Sequence, residues 1–161
     1  MKRIQALTLL VIVLALLIAS ICYADGVPAP KQEIKYDQSG PCKEMIGMWS
    51  GNLSTPESSH NYVFTKKART VTNWDFNLYV TSASDKTATG IYCWSAVGKT
   101  APGCTEVKGT FDPGDDKLVF QWGERMLTLF RKPKVGDFHQ VIFQRSGIGQ
   151  FEGLARKKEK E

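Results

Sequence analysis

The sequence predicts an all-β domain: an antiparallel up-and-down β-barrel of about eight strands, with a β-sandwich as the alternative. Trp74, Phe76, Leu78 and Val80 recur at a period of two, which is the pattern of a strand with one buried face. Further short aromatic and β-branched runs are separated by turn residues, and no helix-length amphipathic segment lies between them. Short connections favour antiparallel neighbours, and closure into a barrel leaves no exposed edge strand.

The strands are assigned in chain order from these runs and from the turns between them. Gly123-Glu124 predicts a hairpin turn, and Asp112-Pro113-Gly114-Asp115 and Gly147-Ile148-Gly149 predict two more connections. Residues 54–70 stay ambiguous, because Tyr62-Val63-Phe64 either begin a strand or cover one end of the barrel. The expected strands are 46–53, 73–81, 89–96, 105–111, 118–122, 126–130, 138–145 and 150–156.

Residues 1–24 have the pattern of a secretory signal peptide, with two basic residues, an apolar core and a small-residue exit. We expect cleavage after Ala24 and a periplasmic or secreted protein. Lipidation at Cys22 is less favoured, because Ile21 fits poorly before a lipidated cysteine. Retention as an anchor is a further alternative, although the apolar run of about 16 residues is shorter than a usual span. Contact with a membrane is expected only if this segment is retained.

The remaining chain divides by composition into three parts. Residues 25–44 contain several prolines and glycines and few large apolar residues, so we expect an extended linker. The barrel domain is expected over 45–156, followed by a charged tail over 157–161. Removal of the signal peptide lowers the net charge from +5 to about +3. Because this charge is small and the tail alternates in sign, nucleic acid is not expected as a partner.

Three cysteines follow the predicted cleavage site, namely Cys42, Cys93 and Cys104. Cys93 and Cys104 flank a turn-rich segment, so we expect a disulfide between them across neighbouring strands. A loop of this length contributes roughly 2–3 kcal/mol in the chain-entropy picture. Cys42 precedes the first strand and remains an alternative partner for either cysteine. No Cys-x-x-Cys motif supports a thioredoxin-type redox role.

Gly47-Met48-Trp49 resembles the Gly-x-Trp that opens the first strand of lipocalins and avidins, and Leu53 follows at the avidin spacing. Leu154-Ala155-Arg156 resembles the last lipocalin strand, whose arginine packs across that tryptophan. The resemblance implies structural roles for Gly47, Trp49 and Arg156. Trp49 would close one end of the barrel, with Arg156 over its ring in a cation–π contact of about 0.5–2 kcal/mol.

The chain departs from the avidin pattern at a position that contacts the ligand. Gly51 stands where avidins have an asparagine that contacts biotin, and Asn52 lies one residue later. A shift of one residue turns a strand side chain to the opposite face, so biotin is not expected to bind. The chain also resembles small β modules of bacterial secreted proteins, through Trp49-Ser50-Gly51 and Tyr92-Cys93-Trp94. That likeness bears on location and fold only.

No catalytic arrangement is visible, so an enzyme is not expected, and neither a metal nor a cofactor is predicted. His60 and His139 are the only histidines, and their positions fit a polar loop and a barrel wall. The acidic residues Asp112, Asp115 and Asp116 lack the ligand ladder of an EF-hand and are better explained as a turn. Zinc ligands at a recognisable spacing are absent from the sequence.

The tryptophans carry most of the functional signal. All four lie in predicted strands, where most are expected to fill the core. Trp94 and Trp122 lie near strand ends beside glycine-rich or polar turns, so they are the best candidates for stacking on a ligand. Tyr79 and Tyr92 are the candidate hydroxyl donors.

The predicted function is an exported, non-enzymatic β-barrel that binds a small hydrophobic or glycan-like ligand. The alternative is an inhibitor or protein-interaction module of the cell envelope that contacts a protein partner through its surface loops.

Overall fold

The computed structural model describes most of the chain after the predicted signal peptide. The signal peptide, His60 and the ambiguous segment around Tyr62 lie outside the described residues. Within the described part, no helix combines the length and apolar character needed to cross a bilayer. The described ranges are 26–40, 42–55, 73–84, 86–97, 100–147 and 149–159.

Eight antiparallel strands form a closed barrel, which confirms the predicted fold class and its up-and-down order. Each strand pairs with the next, and the last pairs with the first, so the barrel rather than the sandwich is correct. The strands are β1 (Gly47–Ser54), β2 (Asn73–Ala83), β3 (Ala88–Trp94), β4 (Gly103–Asp112), β5 (Lys117–Trp122), β6 (Arg125–Val135), β7 (Phe138–Arg145) and β8 (Gly149–Lys157).

The alternating apolar side chains of β2 face the interior, as predicted. Trp74, Phe76, Leu78 and Val80 face the interior and are each at most 6% exposed. The neighbouring strands contribute their own alternate residues to the same core. Burial of these side chains contributes about 1.5–3 kcal/mol each, so the interior rows stabilise the closed sheet.

β6 is longer than its apolar pattern indicated, because it continues past Phe130 to Val135. This extension is polar and contains Pro133, and the pairing with β7 shifts in register on both sides of that proline. A proline is tolerated in a strand at such an irregularity because the missing N–H is not required by the ladder. The alternation of apolar and polar residues therefore ends at Phe130, although the strand continues to Val135.

The first part of the segment before β1 lies along the outside of the barrel, whereas Cys42, Met45 and Ile46 at its end pack into the core. Val27 and Ile34 pack against Tyr79, Ile91 and Cys93 on the outer wall. The amide of Asp37 donates a hydrogen bond of 2.8 Å to the carbonyl of Thr81. The first part of this segment therefore covers part of the sheet, and a 3-10 helix over Lys43–Met45 leads into β1.

Cys93 and Cys104 form a disulfide, as predicted from their spacing. They are directly opposite each other in the β3–β4 ladder, with Cα atoms 4.0 Å apart. Cys93 has the opposite parity to the inward-facing Tyr92, so the disulfide lies on the outer wall beneath Val27 and Ile34. Cys42 is also buried, at 3% exposed.

Candidate ligand-binding site

Several inward-facing rows end in an aromatic ring at one end of the barrel. Trp74 begins the inner row of β2, Trp94 ends that of β3, and Trp122 ends that of β5. Phe151 supplies the corresponding ring at the start of β8. Because the strands alternate direction, these four positions meet at the same end. Local strand periodicity therefore assembles the rings from distant parts of the sequence.

These rings surround a cavity of about 230 Å³, which we call the aromatic cavity. Val97 and Thr100 reach it from the β3–β4 connection, and the strands supply its other walls. Its lining residues are Trp74, Tyr92, Trp94, Val97, Thr100, Trp122, Arg125, Phe143, Arg145 and Phe151.

Tyr92 lies at the centre of the ring cluster. Its ring is stacked with that of Trp94, at 5.8 Å between centroids and 20° between planes. The ring of Trp122 lies 5.2 Å away at a tilt of 41°. Trp74 makes edge contacts with Phe143 and Phe151, at 5.6 and 4.8 Å. These are preferred aromatic geometries, so the rings support one another in place.

The indole N–H groups of the three tryptophans differ in their hydrogen bonding. The indole N–H of Trp74 donates a hydrogen bond of 3.0 Å to the Tyr92 hydroxyl. The indole N–H of Trp94 donates one of 3.0 Å to the carbonyl of Ala101. The indole nitrogen of Trp122 is buried and has no hydrogen-bond partner among the described residues. A buried donor of this kind is destabilising by about 1–3 kcal/mol.

Burial raises the pKa of Tyr92, and this effect exceeds the opposing influences of the Trp74 hydrogen bond and the Arg125 charge. The hydroxyl is therefore neutral at physiological pH. A neutral phenol beside stacked rings can donate or accept a hydrogen bond but is a poor base.

The structure brings three of the four predicted ligand residues together, namely Tyr92, Trp94 and Trp122. Tyr79 differs, because it packs on the outer wall under Val27 and Ile34. The reason is parity: Leu78 and Val80 face inward, so the residue between them faces outward. Tyr79 does not line the aromatic cavity.

Sequence reasoning missed Arg125, Phe143, Arg145 and Phe151 as cavity residues. A signal for the arginines was present in the alternation. Arg125 shares the parity of the inward-facing Leu127, and Arg145 that of Phe143. Arg125 begins β6 and Arg145 ends β7, so each is the last residue of an inner row at this end of the barrel.

Trp49 fills the opposite end of the barrel and is 1% exposed. Its indole N–H donates a hydrogen bond of 2.8 Å to the carbonyl of Met45, and the His139 ring meets it edge-on at 4.7 Å. Gly47 has a φ of 138°, a conformation that other residues rarely adopt, which explains a glycine two places before this tryptophan.

Arg156 does not lie over Trp49, which corrects the expectation drawn from the lipocalin resemblance. In the β1–β8 ladder Arg156 is opposite Ser50, and Lys157 is opposite Trp49. Directly opposed residues share a face, so Lys157 lies on the inner face with Trp49. The Arg156 guanidinium instead lies 5.6 Å from the ring centroid of Phe138 on the outer wall.

A broader depression of about 1130 Å³ lies over Trp49 at this end. Several of its charged groups pair with each other: Arg131 with Glu44 at 3.1 Å, and Arg156 with Asp137 at 3.7 Å. The Lys157 amine donates a hydrogen bond of 2.7 Å to the carbonyl of Glu44. These contacts occupy Arg131, Arg156 and Lys157 with neighbouring protein groups, so the aromatic cavity is the better candidate site.

The remaining titratable candidates have structural contacts. The Nδ1 atom of His139 lies 2.9 Å from the carbonyl of Phe130. Asp112 accepts a hydrogen bond of 3.0 Å from the amide of Gly114, and Asp116 pairs with Arg131 at 2.6 Å. Across the described ranges, no three histidine, cysteine or acidic side chains are grouped to hold a metal ion.

Comparison with known proteins yields no relative from which a function can be transferred. No family model, no curated protein and no solved structure matches the chain. The geometry of the aromatic cavity is therefore the basis for the function proposed below.

Proposed function

We propose that this protein is an exported, non-enzymatic β-barrel that binds a small, flat hydrophobic molecule in the aromatic cavity. One observation carries the proposal: at one end of the barrel, stacked rings surround a cavity of about 230 Å³, and two arginines line the same cavity. Binding cavities typically combine apolar walls with a small number of polar groups that orient the ligand.

The size of the cavity limits the ligand. An apolar cavity of about 150 Å³ is large enough for benzene. The aromatic cavity, at about 230 Å³, is about half as large again, so one ring with a substituent or two fused rings would fit. The rings of Tyr92, Trp94 and Trp122 favour a flat ligand, because a planar ring system can stack on them.

Two observations support the other parts of the proposal. The Cys93–Cys104 disulfide is typical of an oxidising compartment, which supports export after removal of residues 1–24. The cavity residues are mainly rings and arginines, and burial keeps the Tyr92 hydroxyl neutral, so their chemistry suits binding more than proton transfer.

We also propose a relationship to the calycin-type barrels. The eight-stranded closed barrel and the Gly47–Trp49 arrangement at its filled end support this relationship. The position of Arg156 on the outer wall is a departure from the lipocalin pattern.

The binding proposal is tested by isothermal titration of the folded protein with neutral 2-naphthamide. We expect saturable binding with a Kd below about 1 mM. Trp94→Ala removes one wall and is expected to weaken binding about tenfold, because a stacked ring pair and its buried area are lost.

Phe138→Ala is the matched control, because it removes a ring from the outer wall and leaves the aromatic cavity intact. Unchanged affinity is expected for this control. Absence of any binding by the wild-type protein, or equal loss in both variants, would refute the proposed site.

A second candidate function, contact with an envelope protein, is favoured by the outer wall. Val135, Phe138 and Leu154 are 64%, 40% and 38% exposed, although each is large and apolar. Phe138 and Leu154 also line a shallow groove of about 620 Å³ together with Val27. Exposed apolar groups that cluster in this way are common at contact surfaces.

This candidate is tested with a photo-reactive side chain at position 138 in envelope preparations, with position 108 on β4 as the control. A single adduct of defined mass is expected at position 138 alone. The same adducts at both positions would count against this surface.

A further inference from the structure

Arg125 and Arg145 form the part of the aromatic cavity that the hydrophobic proposal does not explain. Both line the cavity, and both belong to inner rows of the barrel: Arg125 precedes Leu127 on β6, and Arg145 follows Phe143 on β7. Their side chains are only partly exposed. The walls beside them are rings, which are weaker partners for a guanidinium than water or a carboxylate.

The two arginines face each other. They are directly opposed in the β6–β7 ladder, a position at which side chains share a face with Cβ atoms about 4.5–5.5 Å apart. Like charges at opposed positions repel each other, so the arrangement lowers the stability of the unliganded barrel. A group of negative charge bound between them would offset this repulsion.

No carboxylate in the described chain makes an ion pair with either arginine, although ion pairs form elsewhere on the barrel. Two acids on neighbouring segments of the chain have other positions. Glu124 is exposed in the β5–β6 turn, and Glu152 accepts a hydrogen bond of 2.8 Å from Gln150. The positive charge at the cavity is therefore not neutralised by these neighbours.

The charge of Arg125 acts inside the cavity. Arg125 lowers the pKa of the Tyr92 hydroxyl, against the larger rise caused by burial. A charge that influences a group at the centre of the ring cluster would also influence a ligand beside that group.

We propose that the ligand of the aromatic cavity is a planar aromatic acid whose carboxylate lies between Arg125 and Arg145. This inference rests on the proposed binding function and specifies its ligand class. The ring system occupies the space beside Tyr92 and Trp94, and the carboxylate receives hydrogen bonds from the guanidinium groups. A guanidinium has a planar fork of donors that matches the two oxygens of a carboxylate.

Two compounds of nearly equal shape separate charge recognition from ring recognition. Isothermal titration of the folded wild-type protein with 2-naphthoate and with neutral 2-naphthamide compares a carboxylate with an amide on the same rings. We expect 2-naphthoate to bind at least about tenfold more tightly, because charge-assisted hydrogen bonds are stronger than neutral ones. Added salt is expected to weaken the binding of 2-naphthoate and to leave that of 2-naphthamide nearly unchanged.

The double variant Arg125→Gln/Arg145→Gln is expected to lose the preference for the acid and to retain its affinity for the amide within about twofold. Arg125→Lys/Arg145→Lys keeps the positive charges but removes the planar guanidinium donors. This variant is expected to retain part of the preference for the acid over the amide. Arg156→Gln is the matched control: it also removes an arginine charge, but near the opposite end and on the outer wall, and it is expected to preserve the preference.

The outcomes distinguish this inference from the function on which it rests. Binding of the amide without tighter binding of the acid would overturn the acid class and leave the cavity as a neutral binding site. A preference for the acid that survives Arg125→Gln/Arg145→Gln would place the carboxylate elsewhere and also overturn the inference. Failure of both compounds to bind would count against the binding function itself.

Discussion

Removal of the Tyr92 hydroxyl is the sharpest test of how the aromatic cavity is built. Tyr92 and Trp74 are 3% and 6% exposed, and the indole N–H of Trp74 donates a hydrogen bond of 3.0 Å to that hydroxyl. Tyr92→Phe keeps the ring and its stacking on Trp94, but it leaves the indole N–H without its acceptor. The cost of an unsatisfied buried donor predicts a loss of about 1–3 kcal/mol in the free energy of unfolding.

Urea denaturation of four proteins isolates this contact in a double-mutant cycle. The proteins are the wild type, Tyr92→Phe, Trp74→Phe and the double variant. Because Trp74→Phe removes the donor, the second substitution is expected to cost about 1 kcal/mol less in that background than in the wild type. A loss below about 0.5 kcal/mol for Tyr92→Phe, or equal losses in both backgrounds, would refute the hydrogen bond.

Three further predictions concern stability. Gly47→Ala is expected to lose about 1–3 kcal/mol, because the φ of 138° is strained for alanine. Removal of the disulfide by Cys93→Ala/Cys104→Ala is expected to lose about 3 kcal/mol, since the cysteines are 11 residues apart. Burial raises the pKa of Tyr92 above 10.0, so its contribution is complete below about pH 10 and decreases above it, by up to about 1.4 kcal/mol per pH unit.

Each of these has its own measurement and control. Urea unfolding compares Gly47→Ala with Gly114→Ala, a turn glycine without a positive φ, and equal losses would contradict the strain argument. Thermal unfolding with and without reductant checks the disulfide, and an unchanged melting temperature would contradict its role. Unfolding at about pH 8 to 11 compares the wild type with Tyr92→Phe, and parallel profiles would refute the raised pKa of Tyr92.

The sequence predicted the barrel well, because its strands follow a simple alternation. The inward row from Trp74 to Val80 is visible in the sequence, and the turn at Gly123 lies where predicted, with a φ of 55°. Trp94 and Trp122 were predicted near strand ends, and both line the aromatic cavity, because antiparallel strands bring those ends together.

The errors in the predicted site concern which face of a strand a residue occupies and how neighbouring strands are aligned. Composition alone specifies neither. Tyr79 was expected to face a ligand, yet it alternates with the buried Leu78 and therefore faces outward. Lys157, and not Arg156, is opposite Trp49 because the β1–β8 ladder has a register that sequence patterns leave open. Arg125 preceded the predicted start of its strand, so its inward orientation was not considered.

The most direct measurement is a ¹H–¹⁵N correlation spectrum of the four indole N–H groups during titration with 2-naphthoate, assigned by single Trp→Phe variants. We expect the Trp94 and Trp122 signals to shift, with the largest change at Trp122, whose indole N–H has no partner in the described chain. The Trp49 signal is expected to remain in place, because Trp49 lies at the opposite end of the barrel and does not line the aromatic cavity. A shift of Trp49 equal to that of Trp122, or no shift at Trp94 and Trp122, would contradict ligand binding at the aromatic cavity.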